Sequence, residues 1–167
     1  TCNERDYTYT ISSEKATITK YTGSDTAIIL PEKLGGYPVT AIGASAFKSN
    51  KLLQVVLVSS TVTSIGNSAF YGCSQLTNVT LPNSLKNLGL YVFQNCTALE
   101  SIVLPDSITT IGAYAFSGCT KLSSVNFPLS WTTVTSLNGG NIFSGCTQLT
   151  SITVPEGVTA IPTYAFE

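Results

Sequence analysis

The chain repeats itself every 23 residues, and that period restricts its fold more than any other feature. Six phenylalanines stand at 47, 70, 93, 116, 143 and 166, separated by 23, 23, 23, 27 and 23 residues. Around them the same letters return in register. Gly43, Gly66, Gly89, Gly112 and Gly139 lie four residues ahead, with Pro162 in the last unit. Cys73, Cys96, Cys119 and Cys146 lie three residues behind, with Asn50 in the first unit. Next come Leu53, Leu76, Leu99, Leu122 and Leu149, then Val56, Val79, Ile102, Val125 and Ile152. Two positions further stand Val58, Leu81, Leu104, Phe127 and Val154, and Pro82, Pro105, Pro128 and Pro155 close the run. A unit this small exposes its apolar face when alone and gains stability only by stacking on its neighbours. The period therefore predicts a solenoid.

Within one unit, Val79 and Leu81 alternate with Asn78 and Thr80, the pattern of a short strand with one face in the core. Pro82 ends it, because proline cannot donate to a ladder. Asn83 and Ser84 make a turn, and a second extended run points Leu85 and Leu88 inward and Lys86 and Asn87 outward. Gly89 is read as the residue that permits the sharp corner that follows. The segment from Tyr91 to Cys96 is too short for a full α-helix and reads as a helical or 3₁₀ turn. The first residues break the pattern. Two alternating runs, Tyr7 to Ile11 and Ala16 to Tyr21, flank Ser12, Ser13, Glu14 and Lys15 as in a hairpin. Six of the eight basic residues fall within positions 1–51, and a charged hairpin suits a cap over an open solenoid end. The expected organisation is a β-hairpin cap over residues 1–25 and about six repeats over residues 26–167, the last one truncated. Thr26 to Pro31 supplies the first rung.

These letters, written Leu-x-x-Val-x-Leu-Pro-x-x-Leu-x-x-Leu-Gly-x-x-Val-Phe-x-x-Cys, resemble the BspA-like leucine-rich repeats over residues 26–167. The stretches from Tyr21 to Gly23 and from Gly35 to Gly43 look like the N-terminal unit of that family. The resemblance implies a leucine-rich-repeat solenoid, β-rich with short helical or 3₁₀ turns. It also implies a secreted or cell-surface protein of a bacterium or parasitic protist, acting as an adhesin or protein-interaction module on a host matrix-type or microbial surface protein. No shared catalytic residue comes with it. The departures are four extra residues before Phe143, Asn50 in place of cysteine and Ser59 in place of proline.

Composition excludes several other classes. Eight Lys and Arg against nine Asp and Glu give a net charge of −1, with no basic field for a nucleic-acid backbone. Apolar runs of about five residues are too short to span a bilayer. The sequence has no histidine, which removes the commonest general base and metal ligand. Asp106, Glu156 and Glu32 each follow a strand-ending proline and read as solvated turn residues, not as a catalytic pair. Neither a Gly-x-Ser-x-Gly elbow nor a phosphate-cradling glycine loop occurs. We expect no enzyme activity, no cofactor and no metal. The four register cysteines, spaced 23, 23 and 27 residues apart, do not match zinc spacing and read as a buried column of small hydrophobes.

The candidate partner surface is the outward strand positions: Val55 and Leu57, Asn78 and Thr80, Ser101 and Val103, Ser124 and Asn126, and Ser151 and Thr153. Short hydroxyl and amide groups there either meet a partner or simply keep a β-surface soluble. Trp131 lies in the insertion and carries two readings. It is a hot-spot residue in a binding loop, or it fills the inward place of Leu85 and Ile108, which stand at the same offset of fifteen from the preceding Phe. Glycan binding is the alternative function and would use Trp131 or the Tyr91, Tyr114 and Tyr164 column; a structural spacer is another. Asn78-Val79-Thr80 and Asn95-Cys96-Thr97 are glycosylation sequons, relevant only in a eukaryotic secretory route. The first residues, Thr1-Cys2-Asn3, with no methionine anywhere, suggest a removed upstream segment. Cys2 is then an ordinary thiol or, less in keeping with Thr1, a lipidated one. The pattern stops within a unit at Phe166, so a longer parent is expected, or end-to-end self-association through the uncapped last repeat.

Overall fold

A computed structural model of the chain describes residues 3–132, 140–158 and 161. In chain order the strands are β1 (Tyr7–Ser12), β2 (Lys15–Tyr21), β3 (Ala27–Ile29), β4 (Lys33–Leu34), β5 (Tyr37–Ile42) and β6 (Val55–Leu57). They continue with β7 (Ser64–Ile65), β8 (Asn78–Thr80), β9 (Asn87–Leu88), β10 (Ser101–Ile102), β11 (Thr110–Ile111) and β12 (Ser124–Val125). Short 3₁₀ helices occupy Glu4–Asp6 and Leu129–Thr132. The chain is the expected leucine-rich-repeat solenoid.

Each coil contributes to three sides around one core. On the first side β3, β6 and β8 pair in parallel, in the register Ile28–Val56–Val79. β10 and β12 pair likewise further along. On the second side the strand order is β1, β2, β5, β7, β9, β11, antiparallel between β1 and β2 and parallel thereafter. The hairpin therefore enters the stack as a member: β2 is the first rung of the second ladder.

The third side is the turn segment around each phenylalanine. Lys48 N–H donates to the Ser45 carbonyl at 3.1 Å and Asn50 N–H to that of Phe47 at 3.1 Å, the i→i+3 bonds of the expected tight turns. The same segments also form a third inter-coil ladder, which the sequence reading did not foresee. Ser68, Phe70 and Gly72 donate to the carbonyls of Leu90, Val92 and Gln94 at 2.8, 2.9 and 2.8 Å. Tyr91, Phe93 and Asn95 repeat this onto Ala113, Ala115 and Ser117 at 3.0, 2.7 and 2.8 Å. Every one of these bonds runs from one coil to the next. The alternate N–H groups line up because the second residue on either side of each phenylalanine is left-handed, as in Tyr91 (φ 58°) and Asn95 (φ 60°).

The core is a set of columns. Phe47, Phe70, Phe93, Phe116 and Phe143 stack with centroids 4.8–5.5 Å apart and planes within 8–11° of parallel. Tyr21 and Tyr7 continue the column into the cap at 5.4 and 5.2 Å. Buried Leu53, Leu76, Leu99 and Leu122 form a second column. Each aromatic pair contributes about 0.5–1.5 kcal/mol beyond its buried area.

The glycine column has a different cause from the one the sequence suggested. Gly89 and Gly112 do not adopt the left-handed region, so they are not corner residues by conformational freedom. A Cβ on Gly112 would lie 2.5 Å from the Gly89 carbonyl carbon and 2.5 Å from Leu90 N. Glycine is required because two backbones touch there. Gly112→Ala should therefore lower stability by about 1–3 kcal/mol, the range for overpacking. Urea denaturation checks this; an unchanged midpoint would show that the coils can part at no cost.

Candidate functional site

The outward positions of the first sheet stand in two rows because the strand period is two: each inward Val or Ile is flanked by two side chains facing solvent. Asn78, Thr80, Ser101, Val103, Ser124, Ser151 and Thr153 are exposed, Val103 most of all at 71%. The rows change character along the axis. At the N-terminal end they are apolar, with Ile29 65%, Val55 40% and Leu57 39% exposed. From β8 onward they are mostly short and polar. Ile29 was missed in the sequence because Ala27-Ile28-Ile29-Leu30 shows no alternation.

Two candidates take other roles. Asn126 is half-buried, and its amide closes a pair with one residue of the preceding coil. Its Oδ1 accepts from Leu104 N–H at 2.7 Å and its Nδ2 donates to the Leu104 carbonyl at 2.8 Å. This side chain continues the ladder where β10 and β12 have ended. Trp131 is 1% exposed, so it does not belong to the partner surface. Its backbone N–H donates to the Pro128 carbonyl at 3.1 Å, as Leu85 does to Pro82 and Ile108 to Pro105, and its ring meets Phe127 edge-on at 5.3 Å. It fills the inward place of Leu85 and Ile108, and burial of its indole removes the binding-loop reading of this residue. Residues 133–139 of the insertion lie outside the described residues.

On the third side Tyr91 and Tyr114 stack at 5.6 Å and 15°, each shielding a face of the other, and Asn141 Nδ2 reaches the Tyr114 hydroxyl at 3.3 Å. Tyr164 lies outside the described residues. Asp106 is engaged locally: its Oδ1 accepts from Leu129 N–H at 2.7 Å, in the turn that opens the next coil.

The cysteine column is buried, and each described thiol is free of a disulfide. Cys73, Cys96, Cys119 and Cys146 donate Sγ–H to the carbonyls of Phe47, Phe70, Phe93 and Phe116 at 3.1–3.2 Å. Burial pushes the thiols up to about 11 at Cys73 and Cys146 and about 12 at Cys119, and well above the ordinary range at Cys96. Among the described residues no group of three His, Cys, Asp or Glu side chains could hold a metal ion, and no helix is long and apolar enough to cross a membrane.

With three ladders, a phenylalanine column and an outward sheet face defined, comparison with known proteins places the chain. A model of the BspA type leucine rich repeat region matches six copies over residues 40–167, and the chain belongs to that family. Its fold matches the crystal structure of the T. pallidum leucine rich repeat protein with a TM-score of 0.86 at 31% identity, covering 92% of this chain and 71% of that one. A leucine-rich repeat protein from Bacteroides ovatus matches with a TM-score of 0.67 at 27% identity, covering 96% of this chain and 49% of that one. A leucine rich cell surface protein from Faecalibacterium prausnitzii matches with a TM-score of 0.60 at 27% identity, covering 89% of this chain and 52% of that one. The chain thus spans about half the length of these last two. No curated protein matches it.

Two measurements follow. Since the unfolded thiols ionise near pH 8.5, those of Cys73 and Cys146 only at about 11, that of Cys119 at about 12 and that of Cys96 well above its ordinary range, the native state holds extra protons in that window. Stability is then fully present below about pH 8.5 and falls as pH rises toward 12. Melting at stepped pH should show this decline, shallower when all four cysteines are alanine; an identical slope would exclude the thiols as its source. Trp131→Ala should cost about 3–5 kcal/mol. In the parent protein, Trp131 emission should be blue-shifted and insensitive to iodide; a red-shifted, quenched indole would contradict its burial.

Proposed function

We propose that this chain is a protein-interaction module of a secreted or cell-surface protein, an adhesin in type, that binds through the outward face of its first sheet and performs no catalysis. The observation that carries the reading is that face itself: a double row of exposed short polar and apolar side chains that runs over β3, β6 and β8 and on over β10 and β12. Rigid side chains lose little entropy on docking, so a modest number of contacts gives useful affinity. Membership of a leucine-rich-repeat family and the likeness to a leucine rich cell surface protein support the extracellular setting. Partners of this class are host matrix-type or microbial surface proteins. The glycan alternative is weaker, because Trp131 is buried and Tyr91 and Tyr114 cover each other.

The test is binding of the chain to a panel of matrix proteins and glycans, beside a Val103→Arg/Ser124→Arg variant. Both positions are exposed, so the variant should fold normally. Saturable binding to a protein, weakened at least about tenfold in the variant, is the expected result. Absence of binding across the panel by a folded chain would favour a spacer that presents another domain.

A further inference from the structure

The two sheets end differently at the N-terminal end of the stack. On the second side, β1 continues the ladder beyond β2. On the first side, among the described residues, β3 is the terminal strand and its one partner is β6. Leu30 N–H donates to the Leu57 carbonyl at 2.9 Å and Val55 N–H to that of Thr26 at 3.1 Å. Alternate residues thus face β6, while Ala27 and Ile29 direct their N–H and C=O groups away from it, along an open edge.

That edge borders a groove of about 820 Å³. Tyr7, Tyr21 and Ile28 line it as buried apolar walls, and exposed Ile29, Val55 and Leu57 continue the apolar surface onto the sheet face. Asp6, Asp25 and Glu32 line it as well, with no lysine or arginine among the lining residues. Natural proteins usually guard an exposed strand edge with lysine, proline or a bulge. Here Pro31 ends the edge only beyond Leu30; Ala27 and Ile29 carry no such guard, Ile29 is 65% exposed, and the charges lining the groove are of one sign.

We infer that an extended, basic and apolar segment of another protein adds as a strand to the open edge of β3, its apolar side chains in this groove and its lysines or arginines against Asp6, Asp25 and Glu32. The inference rests on the reading of the first sheet as a protein-binding surface and names the partner chemistry at its N-terminal end. Main-chain bonds to Ala27 and Ile29 would supply affinity, and alternate side chains specificity, as in other strand-addition complexes. The carboxylates select against a second copy of this edge, which would bring three like charges to the junction.

A dye-labelled (Lys-Val)₅ peptide, with (Glu-Val)₅ as control, tests this by fluorescence anisotropy. The basic peptide should bind saturably, at least about tenfold more tightly than the acidic one, and weaken as salt rises from about 50 to 500 mM. Asp25→Lys/Glu32→Lys should reduce binding at least tenfold. Ile29→Pro should abolish it by removing the edge N–H without touching the β3–β6 bonds. Circular dichroism of both variants checks their folding, and either one, folded, decides the matter. Equal binding of both peptides, no saturable binding of the basic one at millimolar concentration, or binding unchanged in a folded variant would overturn the inference. So would sedimentation showing self-association that Ile29→Pro dissolves, since the edge would then serve a second copy. Val103→Arg/Ser124→Arg should leave peptide binding intact. Peptide binding without any matrix partner would refute the broader face reading alone, and loss of peptide binding with a matrix partner retained would refute only the edge.

Discussion

Two successive coils touch backbone to backbone at the glycine column, and the rest of the molecule is arranged around that closeness. With Gly112 lying against Gly89 and Leu90, no side chain fits between coils, and the spacing settles at that of paired strands. Phenylalanine rings at 4.8–5.5 Å then stack nearly parallel, because that is the only way identical rings fit one per coil. The same spacing selects short polar side chains. Ser84 and Ser107 each reach one coil back, their Oγ donating at 2.6 Å to the carbonyls of Val62 and Leu85. Thr61 does the same to Val39 at 2.6 Å. A hydroxyl spans one rung and satisfies a carbonyl left over where the strands stop, with no charge to desolvate. This accounts for a chain with only 10% charged residues and about a quarter serine and threonine.

The columns were legible because a solenoid writes each spatial neighbour at a fixed sequence offset. The same logic offered Trp131 an inward place, fifteen residues after Phe116, as one of its two readings. What escaped has particular causes. A glycine letter does not distinguish a left-handed corner from a close approach, and Gly89 was read as the first while being the second. Tyr91 and Tyr114 gave no hint of left-handed backbone, which is uncommon for such residues. Tyr21 extends the phenylalanine column from 26 residues before Phe47, outside the repeat period. Asn126 sits at an outward strand position, where its letter alone does not distinguish a solvated amide from one paired with the Leu104 backbone. Of the outward sheet face, the sequence read the rows and Val55 and Leu57 within them, but not Ile29, which extends the apolar end.

The coil that precedes the insertion obeys the same packing constraint. The coil that holds Phe127 and Trp131, where its predecessors hold Leu81 with Leu85 and Leu104 with Ile108, is also the one with four extra residues before the next phenylalanine. Interiors are close-packed, so a larger filling needs a longer perimeter around it.

An open end is the liability of any solenoid, and this chain treats the two sheets at its N-terminal end unequally. The hairpin extends the second ladder, and Tyr21 and Tyr7 close the aromatic column, so that side ends in material of its own. Among the described residues the first sheet receives no such strand. A cap that protected every edge would have needed one more turn of chain over β3; the stretch between β2 and β3 holds only five residues, Thr22 to Thr26. That stretch brings Asp25 to the groove, and Pro31 and Glu32 follow directly after β3 and Leu30. Carboxylates there repel further copies of the same end while leaving the backbone reachable. Protection against self-association by charge, unlike protection by a covering strand, leaves the edge open to a chain of the opposite sign.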